Sequence, residues 1–151
     1  ERTVQIRLDD PTPYFLGLLA EARACCGDPH GALAHIAGAL ALIAGTGEGY
    51  HEAELHRLRG EFLQQQPGAP PGAAEQSLRS ALDIARRQQA PAPALRAATA
   101  LARLWAARGE QAAARALLEE ICRAFAGDLE TPALRAVGAV LAGLGGTQNG
   151  L

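Results

Sequence analysis

Residues 94–122 read ALRAATALARLWAARGEQAAARALLEEIC, and this stretch decides the fold. Two runs of alanine, leucine and arginine, all strong helix formers, lie on either side of Gly109, where the chain turns sharply. The second run carries a pattern at Ala114, Leu118, Ile121 and Cys122: an alanine, a larger apolar residue one turn on, then two adjacent apolar residues. The same pattern is written at Ala32, Ile36, Ala39 and Leu40 and at Ala74, Leu78, Ala81 and Leu82, so the copies begin 42 and 40 residues apart. Self-similarity at that period signals stacked helical units in place of a single closed core.

Punctuation outward from this stretch divides the chain into seven helices. Pro13 opens a helix over 13–26, which Gly27 ends, and Asp28 with Pro29 caps a second over 29–44. The Gly45, Gly47 and Gly49 cluster stops that helix at Ala44. A third over 50–65 carries the apolar stripe Leu55, Leu58, Phe62 and Leu63. The loop from Pro67 to Gly72 leads to a fourth over 73–89, and Pro91 and Pro93 separate it from a fifth over 94–108. A sixth covers 111–126, and Thr131 with Pro132 caps a seventh ending near Gly143. Residues 1–12 read as a polar lead, 13–143 as the repeat domain, and 144–151 as a flexible tail.

Pairing consecutive helices gives three antiparallel hairpins. Ala20, Gly60 and Ala102 sit on the first helix of each, placed to cross the alanines Ala32, Ala74 and Ala114 of the second. Small residues at such crossings let the backbones approach closely, and a large side chain there costs about 1 to 3 kcal/mol.

Composition narrows the function classes. A chain of 151 residues buries roughly 70% of its unfolded surface, enough for a core without metals or disulfides. Aromatics are 4% and β-branched residues sparse, so the fold class is all-α. The fourteen basic residues are all arginine, interspersed with acids to a net charge of −2, and lack the concentrated positive face that nucleic acid requires. No apolar run of membrane-spanning length and no secretory signal pattern is visible, so a cytoplasmic protein is expected. Cys25, Cys26 and Cys122 are an odd number without paired spacing and read as reduced, buried thiols. The absence of methionine, the initiator included, points to a piece of a longer polypeptide.

Catalytic chemistry has no specific support. In HEAELH, His51 and His56 are five residues apart, about 140° around a helix, where a zinc helix needs four. No metal or other cofactor is therefore expected there, and His30 and His35 read as surface or boundary residues. The glycines around residue 47 lack the lysine and hydroxyl of a phosphate loop. Ser77, Ser80 and Cys122 have no histidine and carboxylate placed beside them. Trp105 reads as core packing, and Arg86, Arg87, Glu119 and Glu120 as solvated outer faces.

The small residue on each first helix, the turn glycines Gly27 and Gly109, and the alanine pattern of the second helices resemble tetratricopeptide repeats. The period near 40 exceeds the usual ~34 and resembles longer variants in bacterial signalling proteins. Residues 51–62, HEAELHRLRGEF, with 95–118 and 125–134, are similar to the C-terminal repeat region of large bacterial multidomain regulators. These are the maltose-activator and cyclase-linked ATPase types. The resemblance covers about residues 13–143 and touches no ATPase, cyclase or DNA-binding module.

The resemblance implies a right-handed α-solenoid of three hairpins with a C-terminal capping helix. It also implies a non-catalytic interaction or regulatory role for a protein or peptide partner, or for another domain of the same polypeptide, with no nucleic acid and no membrane involved. Self-association through an uncovered end, and small-molecule sensing as in maltose-type activators, are the alternatives; an aromatic-lined pocket would favour the second. Helical geometry places the groove candidates Glu21, Glu54, Arg57, Glu61, Arg96, Thr99 and Arg103 along the first helices of the hairpins. Arg57 and Arg103 are expected to be exposed, so that removing both leaves the thermal midpoint nearly unchanged.

Overall fold

The computed structural model describes residues 12–47, 49–124 and 132–145, and in the last segment the side chains of 135–144. All regular structure among them is helical: α1 (Pro13–Cys25), α2 (Pro29–Thr46), a 3-10 turn at Gly49–His51, α3 (Glu52–Gln65), α4 (Ala73–Arg87), α5 (Pro91–Ala107), α6 (Gln111–Ala124) and α7 (Pro132–Gly145). None of these helices is long and apolar enough to cross a membrane.

Local chemistry sets the boundaries. The Asp28 carboxylate accepts the Gly31 N–H at 2.8 Å, satisfying an orphan donor at the start of α2. That backbone bond, followed by the bond from Arg23, holds the Asp28 carboxyl below its ordinary value. The helix runs through Gly45 to Thr46, beyond the stop expected at Ala44. Gly47 ends it in the left-handed conformation (φ 73°), its N–H donating to Ile43. A lone glycine inside a helix costs only about 1 kcal/mol, less than the apolar face of α2 recovers by packing.

Pro91 and Pro93 are likewise not separators. They lie in the first turn of α5, where a missing N–H costs nothing. The break falls at 88–90, where Gln89 adopts φ 51°. At the far end α7 continues to Gly145 and buries Leu144, so the compact part extends past the expected limit of 143. The expected cap at Thr131, the stretch 125–130, the polar lead over 1–11 and the tail from 146 lie outside the described residues.

The hairpins form as the repeat spacing predicts. Leu16 lies against Gly38 and Arg23 hydrogen-bonds His35 at 3.0 Å, so α1 and α2 run antiparallel. Gly60 faces α4 so closely that an added Cβ would stand 2.6 Å from Leu78 Cγ and 3.0 Å from the Ala74 carbonyl. Ala20, Ala32, Ala102 and Ala114 are fully buried. Between hairpins, the Tyr14 ring meets His51 at 5.3 Å and Gly17 lies under Leu55, while Arg96 bonds Glu54 at 3.2 Å. Helices α1, α3 and α5 therefore run parallel, each touching the next, and α7 packs on α5 and α6.

Two apolar clusters fill the interior. One joins Ala20, Ile36, Ala39 and Ile43 to Leu55, Leu58 and Phe62 of α3. The larger joins Ala53 of α3 to α4, α5, α6 and Val137 and Leu144 of α7. Trp105 belongs to it, donating its indole N–H to Glu75 at 3.1 Å beneath the Arg79 guanidinium. The expectation of buried thiols fails at one end: Cys25 and Cys26 are exposed and Cys122 half-buried. Among the described residues α1 packs chiefly on α2, with a smaller contact to α3, which leaves its C-terminal turn with few neighbours.

Candidate functional site

The face shared by α1, α3 and α5 follows from register. In α3, Glu54, Arg57 and Glu61 lie three and four residues apart and share one side. Arg57 donates to Glu54 at 2.7 and 3.1 Å and to Glu61 at 2.6 Å. Its side chain is only 13% exposed, so the expectation of an exposed Arg57 is corrected. The guanidinium is held between two carboxylates of its own helix, which keeps the side chain along the helix surface.

Burial and charge compete in this network. Burial pushes the Glu54 carboxyl up, but the bond and charge of Arg57, then of Arg96, outweigh it and hold the group below its ordinary value. Burial likewise disfavours the Arg57 cation, and its bonds to Glu54 and Glu61 reverse this and raise its pKa.

On α5, Arg96, Thr99 and Arg103 continue the face. The Thr99 hydroxyl donates to the Leu95 carbonyl at 2.7 Å, and the residue is buried, so it forms floor and offers no free hydroxyl. Arg57, Glu61, Arg96, Thr99 and Arg103 surround one concavity of about 200 Å³, closed on one side by Ala136 of α7. Glu54 is not among its lining residues. Glu21 does not reach it; it lines a neighbouring hollow with Glu54, Tyr14 and Leu18. Arg103 makes no ion pair among the described residues, and Arg96 uses only Nε, toward Glu54.

The sequence reading missed a larger feature beside this one. Tyr14, Tyr50 and His51 line a cleft of about 960 Å³ whose opposite wall is Pro91, Ala92 and Pro93, with Glu54 and Arg96 also lining it. The rings are in contact, Tyr50 to His51 at 5.1 Å and His51 to Tyr14 at 5.3 Å. Gln88 donates to the Gly49 carbonyl at 2.6 Å and fixes the turn that carries Tyr50. A signal existed: measured from Ala20, Gly60 and Ala102, residues Tyr14, Glu54 and Arg96 each lie six positions earlier, so Tyr14 holds the position on α1 that the two charges hold on α3 and α5.

The remaining candidates stay apart. His51 belongs to the 3-10 turn, while His56 lies in α3 with a buried Nδ1 that has no partner. Among the described residues no three histidine, cysteine or acidic side chains are grouped to hold a metal ion. Ser77 is buried and donates to the Ala73 carbonyl. No family model, no curated protein and no solved structure matches this chain.

Proposed function

We propose that the chain is a right-handed α-solenoid of three hairpins, resembling tetratricopeptide repeats, with α7 covering the last. Its function is non-catalytic: it binds an extended segment of a protein, or of its own longer polypeptide, along α1, α3 and α5 and so regulates a larger bacterial signalling or transcription-regulatory protein in the cytoplasm. The observation that carries this reading is that α1 meets α3 and its leading turn, and α3 meets α5, so that the first helices of the three hairpins line up side by side. That arrangement is what a solenoid needs to present one continuous concave surface. The adjacent exposed thiols Cys25 and Cys26 suit a reducing compartment.

The aromatic lining of the larger cleft favours a second reading, a small-molecule effector site. Backbone amide NMR on the isotope-labelled chain, titrated with a random peptide mixture and with a panel of sugars and aromatic metabolites, tests both. Saturable shifts confined to α1, α3 and α5 with peptides support the first reading. Shifts only around residues 49–54 and 90–96 with a metabolite would replace it with the second.

A further inference from the structure

The two concavities on this face share one lining residue and differ in chemistry. Arg96 lines both. On one side of it lies a cleft walled by the rings of Tyr14, Tyr50 and His51 and by the two prolines, with Tyr50 86% exposed. On the other side lies the arginine concavity. The one acid that lines it, Glu61, is committed to Arg57, and the adjacent Glu54 to Arg57 and Arg96, whereas among the described residues Arg103 is unpaired and the terminal nitrogens of Arg96 carry no protein acceptor. Two carboxylates against three guanidiniums leave this end with surplus positive charge.

Resting on the peptide-binding reading above, we propose that the occupant is an acidic peptide with an aromatic anchor. A planar side chain seats between the Tyr50 and His51 rings and the Pro91–Pro93 wall, and an aspartate or glutamate reaches Arg96 and Arg103. Ring against ring and ring against proline provide apolar contact with few side-chain torsions to freeze. The guanidinium fork of Arg103 suits a carboxylate bidentately and repels a basic segment.

The spacing follows from helix geometry. Pro93 and Arg103 are ten residues apart on one helix, about 15 Å at a rise of ~1.5 Å per residue. An extended peptide covers that length in four or five residues at ~3.3 Å each, so anchor and acid should be separated by about four or five positions.

The test is selection of a random nine-residue peptide library, displayed on phage, against the full chain. The consensus peptide is then synthesised with a fluorophore and its affinity measured by anisotropy. The expected consensus is Trp, Tyr or Phe spaced about four or five residues from Asp or Glu. Arg103→Glu and Tyr50→Ala should each weaken it at least about tenfold, Tyr50→Phe should restore binding, and Arg86→Glu on α4 should change nothing. Tyr50 and Arg103 are exposed, and melting curves of each variant separate lost binding from lost folding.

Peptides that are basic or lack the aromatic, yet still depend on Arg96 or Tyr14, would overturn the stated chemistry and leave the groove reading standing. Peptides lost on Arg86→Glu and indifferent to Arg103→Glu would overturn both, as would a selection that enriches nothing.

Discussion

Helices α1 and α5 have the same design and different fates. Each opens with proline in its first turn and carries a fully buried alanine at its crossing, Ala20 and Ala102. Yet α1 buries only Gly17 and Ala20, while α5 buries ten of its 17 residues. Leu19 and Leu101 each stand one position before the crossing alanine, and they are 49% and 1% exposed. The difference is the number of neighbours: among the described residues α5 is packed by α3, α4, α6 and α7, whereas α1 packs mainly on α2 and less closely on α3. A side chain's burial here is set by its place in the stack, and equivalent sequence positions need not have equivalent energetics.

The largest expected effect tests the crowded end. Ala114→Arg forces a charge into a fully buried crossing between α6 and its partner, and should destabilise the chain by about 4 kcal/mol or more. An unchanged urea midpoint would show that the crossing is loose. Next, Leu101→Ala should cost about 3 kcal/mol through lost burial and a residual cavity, and Leu19→Ala less than about 0.5 kcal/mol. Equal losses for the two leucines would mean that something covers α1 in solution and would erase the contrast.

Gly60→Ala tests whether the middle hairpin resembles the crowded or the open end. The new methyl meets Leu78 and the Ala74 carbonyl, and we expect a net loss of about 1 to 2 kcal/mol despite the helix propensity gained. A rise in melting temperature would show that α3 and α4 can separate freely.

Arg57→Ala should cost about 1 kcal/mol, because Glu54 and Glu61 lose their shared partner in a half-buried site, whereas Arg103→Ala should leave the melting midpoint in place. Thermal melts of the two variants side by side decide this. The smallest effect is a pH dependence. Burial of His56, opposed by the charge of Glu52, holds its imidazole below the ordinary 6.5. The folded chain therefore binds fewer protons than the unfolded one as pH falls below that value. The contribution is complete above about pH 6.5 and is lost as pH falls through the depressed folded pKa. His56→Phe should flatten the stability profile between pH 7 and 5; a profile identical to the parent's would remove His56 from the account. The lowered Glu54 works in the same direction in a more acidic window, below its ordinary 4.5.

Much of the fold was legible because it is written locally. Helix starts follow from Asp28, Pro13 and Pro29, one helix end from Gly47, and the pairing from small residues at a fixed spacing. Where the reading slipped, a local signal had two meanings. Pro91 and Pro93 suit a loop and a first helical turn equally well, and Gly45 was outweighed by the packing of α2. In the site, the charged side was found by periodicity through Glu54, Arg57, Arg96 and Arg103. The aromatic side was not, because Tyr14 and Tyr50 lie in different hairpins and meet only through His51.

The sequence by itself determined that this chain is helical, where most helices begin and which residues form their crossings, since capping, propensity and period act over a few residues. Only the tertiary structure decided which of two equivalent leucines is buried, that Arg57 is drawn in between two carboxylates, that Cys25 and Cys26 face outward, and that three rings and two prolines share one cleft. Those outcomes depend on which helices stack against which, and desolvation and ring contact take effect only when residues distant in the chain have been brought together.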